Sequence, residues 1–409
     1  MTDRDILRLL AGQTAEIASL AAQRETALLY RALNGLKPIR PVIMLDELPW
    51  NQLNAGGKLT LQCADPFLRE VEDGLRKQLY KWNHCRADML IEPYYCLPRA
   101  INIGGIGIEV NEEIIAADKD NHIVAHKYHD QFGADILERL HAPSIDVNDA
   151  LTESRKQQLE YIFGDLLPVK VIGLTNAGFF TPWDLISMLR GAEPLLAALY
   201  DEPELMHAFM RKYTDIRLEL LAALEERGLL DAHMPVLHCT PGLTDELPGE
   251  IVNGRVTRAN LWGRGAAQIF AVVSPEMHDE FDIQYQKEFF QGFGLVYYGC
   301  CEPLDKKIDI IEKLPNLRKI SITPWADVRS AAEQMGGRYV LSDKPNPAAV
   351  AVKTLDEARL RADILETLEA CGANNTPCEF IVKDISSVAY NPNNLTRWAE
   401  VVMETVVNY

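Results

Sequence analysis

The sequence predicts an α/β protein: a (β/α)8 TIM-type barrel with an N-terminal helical extension and an inserted β-hairpin. Three observations predict it. Short apolar runs alternate with amphipathic helical stretches from about residue 40 onward, the pattern of a parallel sheet flanked by helices. Nine such runs qualify as strands besides the hairpin, enough for an eight-stranded barrel with one to spare. The first run ends in LDELPWNQLN, which lacks the Gly-rich phosphate turn that opens a doubly wound sheet.

Residues 3–35 read as helix. Leu7, Leu9, Leu10, Ile17, Leu20 and Ala21 recur near helical spacing and Gly35 supplies a stop. Residues 1–39 are therefore the extension and 40–409 the barrel. RPVIMLDELPW (40–50) is the first strand. DPFLREVEDGLRKQLYKWN (65–83) is a helix, with Asp65 as N-cap and Pro66 as first helical residue. ADMLIEPYYCLP (87–98) is the next strand. Residues 99–150 break the rhythm: IGIEVNEEIIA and NHIVAHKYHD alternate around DKDN as a hairpin. There His122 and His126 share a face and His129 takes the other, which a surface hairpin explains.

VKVIGLTNAG (169–178) restores the pattern, followed by helix from Pro182 to about Leu230, broken at DEPE (201–204). MPVLHCTPG (234–242), QIFAVVSP (268–275), GLVYYGCCEP (294–303), RKISITPW (318–325), RYVLSDKPNP (338–347) and EFIVKDISS (379–387) are the remaining strands. PEMHDEFDIQYQKEFFQGF, LDKKIDIIEKL, ADVRSAAEQM and TLDEARLRADILETLEAC are the helices between them, and LTRWAEVVMETVV closes the chain.

The 409 residues, 47% apolar and 24% charged, have a globular composition. The net charge of −18 and the absence of a basic stripe argue against nucleic acid and against anionic membranes. No apolar run approaches the roughly 20 residues of a bilayer span. The N-terminus MTDRDILRLLAGQTAEI is acidic and helical, unlike a signal peptide, so a cytoplasmic location is expected. Eight cysteines are scattered without a CxxC pair, which favours reduced thiols over disulfides or a zinc ribbon.

A barrel of this kind carries its chemistry at the C-terminal strand ends. Those ends offer Glu47 and Trp50, Tyr94, Asn176, His238, Tyr298 with Cys300, Cys301 and Glu302, Trp325, Asp343 with Lys344, and Ser386. An imidazole, thiolates and a carboxylate suit Zn²⁺, so His238, Cys300, Cys301 and Glu302 are the candidate metal ligands. Packed strand cysteines and a satisfied core histidine account for the same residues. Which cysteine faces inward is open, because one residue of register reverses the answer. Glu47, Glu302, Asp343 and Lys344 are the candidate catalytic groups. A carboxyl in an apolar mouth has a raised pKa and can act as acid or base, and Lys344 could hold a substrate carboxylate oriented by Asp343. Trp50, Tyr94, Asn176, Tyr298, Trp325 and Ser386 are the candidate substrate wall. Solvated loop charges and capping explain the same groups taken singly.

GLTNAGFFTPWDLISMLRGAEPLLAALYDEPELMHAFM resembles the uroporphyrinogen decarboxylase superfamily, with its phrase G-x-E-x-L-x-x-x-L-Y-D-x-P-E. VVSPEMHDEFDIQYQKEF, YVLSDKPNP and EFIVKDISSVAYNPN extend the resemblance, which covers roughly residues 40–409 and is specific in 169–210 and 268–300. The Arg-rich segment that clamps porphyrinogen carboxylates is missing; IMLDELPWNQL stands in its place. The resemblance therefore runs toward the corrinoid-linked methyltransferase branch, which carries zinc on His-x-Cys and a later cysteine. Here Cys300-x-Glu302 has that spacing, and Ser386 and Ser387 stand where the later cysteine is expected.

The resemblance implies a metal-dependent methyltransferase. It would move a methyl group from a small methylated donor to a corrinoid on a separate protein, with a homodimer left open. A decarboxylase or other lyase of a small or tetrapyrrole carboxylic acid, and a non-catalytic corrinoid- or tetrapyrrole-binding barrel, are the competing expectations.

Overall fold

The computed structural model describes residues 1–118, 123–133 and 135–409. His122 and residues 119–121 of the DKDN turn lie outside the described residues.

The N-terminal extension is two helices rather than one. Asp3–Ala18 opens on a capping box, in which the Asp5 N–H donates to Thr2 Oγ1 at 3.2 Å and the Thr2 N–H to Asp5 at 3.0 Å. The run breaks at Ser19 and Leu20, where Leu20 is extended. The second helix, Ala21–Asn34, buries Leu29, Tyr30 and Leu33 against Val42, Met44, Val340 and Ile381. It thereby closes the N-terminal end of the space inside the strands.

Nine strands carry the architecture: β1 (Val42–Leu45), β2 (Tyr95–Pro98), β3 (Val169–Ile172), β4 (Phe179–Phe180), β5 (Trp262–Gly265), β6 (Leu295–Tyr298), β7 (Leu317–Ile322), β8 (Val340–Asp343) and β9 (Cys378–Val382). Seven form one parallel sheet in the order β1-β9-β8-β7-β6-β5-β4. β2 and β3 form a separate parallel pair. The closed eight-stranded ladder expected from the sequence is not drawn by the hydrogen bonds of the described residues. Beyond the open edge of β1, Asp88 meets Ile43 twice: its N–H donates to the Ile43 carbonyl and its Oδ2 accepts from the Ile43 N–H, each at 2.9 Å.

Alternation with period two sorts the side chains. Ile43, Leu45, Val296, Tyr298, Ile320, Ile322, Leu341, Phe380 and Val382 join the main core beneath the helices. Val42, Met44, Val340, Ile381, Leu295 and Tyr297 belong to smaller clusters on the opposite face. Polar side chains share that inner face. Lys319 Nζ bonds Glu379 at 3.0 Å, Thr240 Oγ1 at 2.7 Å and the Pro241 carbonyl at 3.0 Å, all buried.

Two expected strands are corrected. QIFAVVSP is not a strand; Gln268–Val272 is a single-turn 3₁₀ helix, and the strand is the preceding WGRG. A Cβ on Gly263 would lie 2.6 Å from the Phe290 ring, and one on Gly265 2.6 Å from Gln286 Oε1. Glycine thus lets the helical segment Pro275–Phe289 and its Phe290 cap pack onto the strand, and this removes the apolar signature. MPVLHCTPG is not a sheet strand either. Val236–Leu237 and Thr240–Pro241 form a tight antiparallel pair with His238 and Cys239 at its tip. Among the described residues 99–150, the expected hairpin is Glu112–Asp118 with Ile123–Tyr128, beside a second antiparallel pair, Ile101–Ile103 with Ile145–Val147. The long helical stretch divides into Pro182–Arg190, Ala192–Asp201 and Pro203–Glu226.

Candidate active site

β6 delivers the paired cysteines. After Tyr298 the chain turns at Gly299, whose φ of 99° is in glycine's range; a Cβ there would meet Leu304 at 2.6 Å and Ser321 at 3.0 Å. Cys300 is then fixed on three sides. Its N–H donates to Glu302 Oε2 at 3.0 Å, its carbonyl accepts from Ser321 Oγ at 2.9 Å, and its sulfur lies 3.1 Å from Lys383 Nζ.

β9 delivers the cation. Its end is tied to that of β1: the Asp46 N–H donates to the Val382 carbonyl and the Ile385 N–H to the Glu47 carbonyl. Lys383 follows the strand, buried, with Asp384 Oδ2 at 2.8 Å and Glu47 Oε2 at 3.7 Å. The hairpin tip brings His238 Nε2 to 3.8 Å from Cys300 Sγ. Cys301, exposed, lies 3.7 Å from Cys300 and 3.2 Å from Asp384 through its sulfur. Glu47, His238 and Cys239 also bring one donor atom each within 4.8 Å of one another.

Glu47, His238, Cys239 and Asp384 all have positive φ, of 49°, 31°, 67° and 55°. A non-glycine residue held there costs on the order of 1–3 kcal/mol, and such residues gather at functional sites. Strain from three separate segments meets at one place.

The charges are mutually dependent. Cys300 is held far below the ordinary thiol range, first by the hydrogen bond from Cys301 and then by His238, Lys383 and Arg264, against burial that opposes ionisation. Cys301 is pushed up by that bond and by burial. Burial would lower Lys383, but Cys300 and then Asp384 hold it ionised. Burial and the bond to Asp384 raise Glu47. Burial opposes the ionisation of Asp384, but Glu47 and Lys383 lower it to about 2. The site therefore holds a thiolate, a thiol, an ammonium, a carboxylate and a carboxyl that retains its proton above the usual range.

Of the expected residues, Glu47, His238, Cys300 and Cys301 converge. Glu302 does not: it is fully buried and its oxygens accept the N–H groups of Cys300 and Ala267, the latter at 3.1 Å. It anchors the cysteine loop from behind. Asp343 and Lys344 leave β8 on opposite faces. Asp343 accepts from Thr367 Oγ1 at 3.0 Å on the helix side, and Lys344 donates to Ser342 on the inner face with its Nζ 5.7 Å from the Tyr297 ring centre. Tyr298 also faces the helices, bonded to Asp282 and His278 at 2.6 Å each.

Tyr94 belongs to a second cluster: it donates to Glu92 at 2.6 Å, and Glu92 pairs with His233 at 2.7 Å beside Cys96. Trp50 packs on Tyr80 and Lys77. Trp325 is 72% exposed, and Asn176 and Ser386 are exposed. Lys383 and Arg264 were the residues missed. The place of Lys383 directly after an apolar strand could have flagged it; Arg264 was hidden by the misplaced strand.

No protein-family model matches the chain, and no curated protein matches it. Among solved structures it is similar to a methyltransferase from Methanosarcina mazei, with 14% identity and a TM-score of 0.46, covering 92% of this chain and 97% of that one. That likeness is too distant to assign an activity. No helix among the described residues is long and apolar enough to cross a membrane.

Proposed function

We propose that the chain is a metal-dependent methyltransferase resembling the uroporphyrinogen decarboxylase superfamily, which moves a methyl group from a small methylated donor to a corrinoid protein. The observation that carries this reading is that His238, at a hairpin tip, reaches Cys300 beyond the end of β6, with Cys301 beside it and Glu47 beyond the end of β1. Two thiols and an imidazole are donor chemistry that suits zinc with a fourth position left open. His238, Cys300 and Cys301 would hold it, and Glu47, which keeps its proton, stands beside them outside the ligand set. When bound, the ion supplies Lewis acidity at the donor heteroatom.

The chain's own residues do the rest. Lys383 keeps Cys300 ionised, so the sulfur is ready as a ligand without losing a proton first. Glu47 retains its proton above the usual carboxyl range and is placed to give it to the departing oxygen, nitrogen or sulfur. The carbon–heteroatom electron pair stays with that atom, and the methyl group leaves without it. A low-valent cobalt on the partner, acting as co-substrate, provides the pair for the new bond.

The test is metal content by mass spectrometry, together with methyl transfer from methyl ethers, amines and thioethers to free cob(I)alamin. About one zinc per chain is expected, lost in His238→Ala and Cys300→Ala. Wild-type protein that retains no zinc from micromolar solution refutes the metal assignment. Zinc without transfer from any donor refutes the methyl chemistry.

A further inference from the structure

Arg264 is the third residue of β5, on the strand face that carries Trp262 in register with Leu295, and Arg264 itself is in register with Tyr297. It is 5% exposed. Among the described residues its side chain has no ion pair within 4.0 Å and no hydrogen bond, and its Nε is fully enclosed without an acceptor. A guanidinium has five N–H donors and does not lose its proton. With so little of it exposed and no acceptor for its donors among the described residues, it is a costly group to keep unless something else pairs with it.

The guanidinium carbon lies over the Phe179 ring, 5.9 Å from its centre. The same ring meets His238 edge-on at 6.3 Å, and His238 reaches Cys300. Arg264 also acts electrostatically on Cys300 and on Asp184. Asp184 does not satisfy it, because its Oδ1 accepts from Gln268 at 3.2 Å and it forms no ion pair. Of the other inner-face cations, Lys383 is already matched by Asp384, Glu47 and Cys300, and Lys344 donates to Ser342.

We propose that Arg264 is the substrate-binding residue that takes a carboxylate, so that the small molecule acted on beside Cys300 carries a carboxylate gripped by the guanidinium fork. The planar fork matches two carboxylate oxygens at once. The Phe179 ring stands beside both the fork and His238, which reaches the sulfur. The inference rests on the proposed function only in placing the reacting group at Cys300.

The test compares alkylation of Cys300 by iodoacetate and by iodoacetamide, read by mass spectrometry of the Cys300 peptide, with benzoate and benzamide as competitors. Iodoacetate, which carries the carboxylate, is expected to react about tenfold faster than iodoacetamide, the worth of one charge-assisted contact. Benzoate should slow the reaction and benzamide should not. In Arg264→Gln the ratio should fall to about one and benzoate protection should vanish. Equal rates in the wild type without benzoate protection overturn the proposal and leave the thiolate of the proposed function standing.

A Cys300 that neither reagent reaches, in the protein as purified and again after a chelator has removed any zinc, overturns the thiolate reading instead. Calorimetric titration of benzoate then decides Arg264: binding to wild type that is lost in Arg264→Gln supports it, and binding retained in the variant overturns it. Should Arg264→Gln fail to fold, wild-type discrimination between benzoate and benzamide is the deciding measurement, and no discrimination overturns the proposal.

Discussion

Replacing Lys383 by Met removes one charge from the site while keeping an unbranched side chain of similar length. The Lys383 Nζ to Cys300 Sγ distance is 3.1 Å, and both residues are buried. At an effective dielectric constant of about 20, two unit charges at that separation attract by about 5 kcal/mol. One pH unit corresponds to about 1.4 kcal/mol, so the full loss would move the thiol upward by about four units. Water entering beside exposed Cys301 reduces this, whereas Asp384, no longer neutralised at 2.8 Å, adds to it. The expected rise is about two to four pH units.

The assay is the rate of iodoacetamide alkylation at Cys300 across pH, with thiolate absorbance near 240 nm as a second reading. The wild-type rate should be flat through neutral pH, and the Lys383→Met rate should climb through a midpoint about two to four units above the wild-type value of about 3. A midpoint within about half a unit of the wild type would show that the ammonium does not hold the thiolate, and the electrostatic account of the site would fail.

Two further outcomes follow from buried charge elsewhere. Asp343 is raised by burial from 3.8 to about 7. The folded chain therefore holds that proton more tightly than the unfolded one; the cost of Asp343 is absent below 3.8 and fully present above about 7. Asp343→Asn, which keeps an acceptor for Thr367, should match the wild type in urea unfolding near pH 4. Near pH 8 it should be more stable by up to about 4 kcal/mol, and equal gains at both pH values would contradict this. Lys319→Met breaks the buried pair with Glu379 and should cost about 3–5 kcal/mol in the same assay, with a loss under about 1 kcal/mol refuting the pairing.

Reading the chain alone found the alternating α/β order, the apolar strands β6 to β9 and the convergence of Glu47, His238, Cys300 and Cys301. It could do so because strands buried on both faces are continuous apolar runs, and their ends must meet at one rim. It failed where packing reverses the local signal. WGRG carries no apolar run, yet it is β5, because glycine at 263 and 265 admits Phe290 and Gln286. MPVLHCTPG reads as a strand, yet it is a hairpin whose tip carries His238 to the sulfurs.

Residue type likewise could not say which face a group takes. Glu302, Tyr298 and Asp343 lie near the rim in sequence, but pleat and turn send them behind it. Lys383 and Arg264 draw their importance from neighbours 83 and 36 positions away along the chain, at Cys300. The amino-acid order determined which segments are strands and what chemistry they could bring. Register, glycine-permitted contact and strand ordering decided which side chains share one space, because electrostatic coupling depends on distance through the fold and not along the chain.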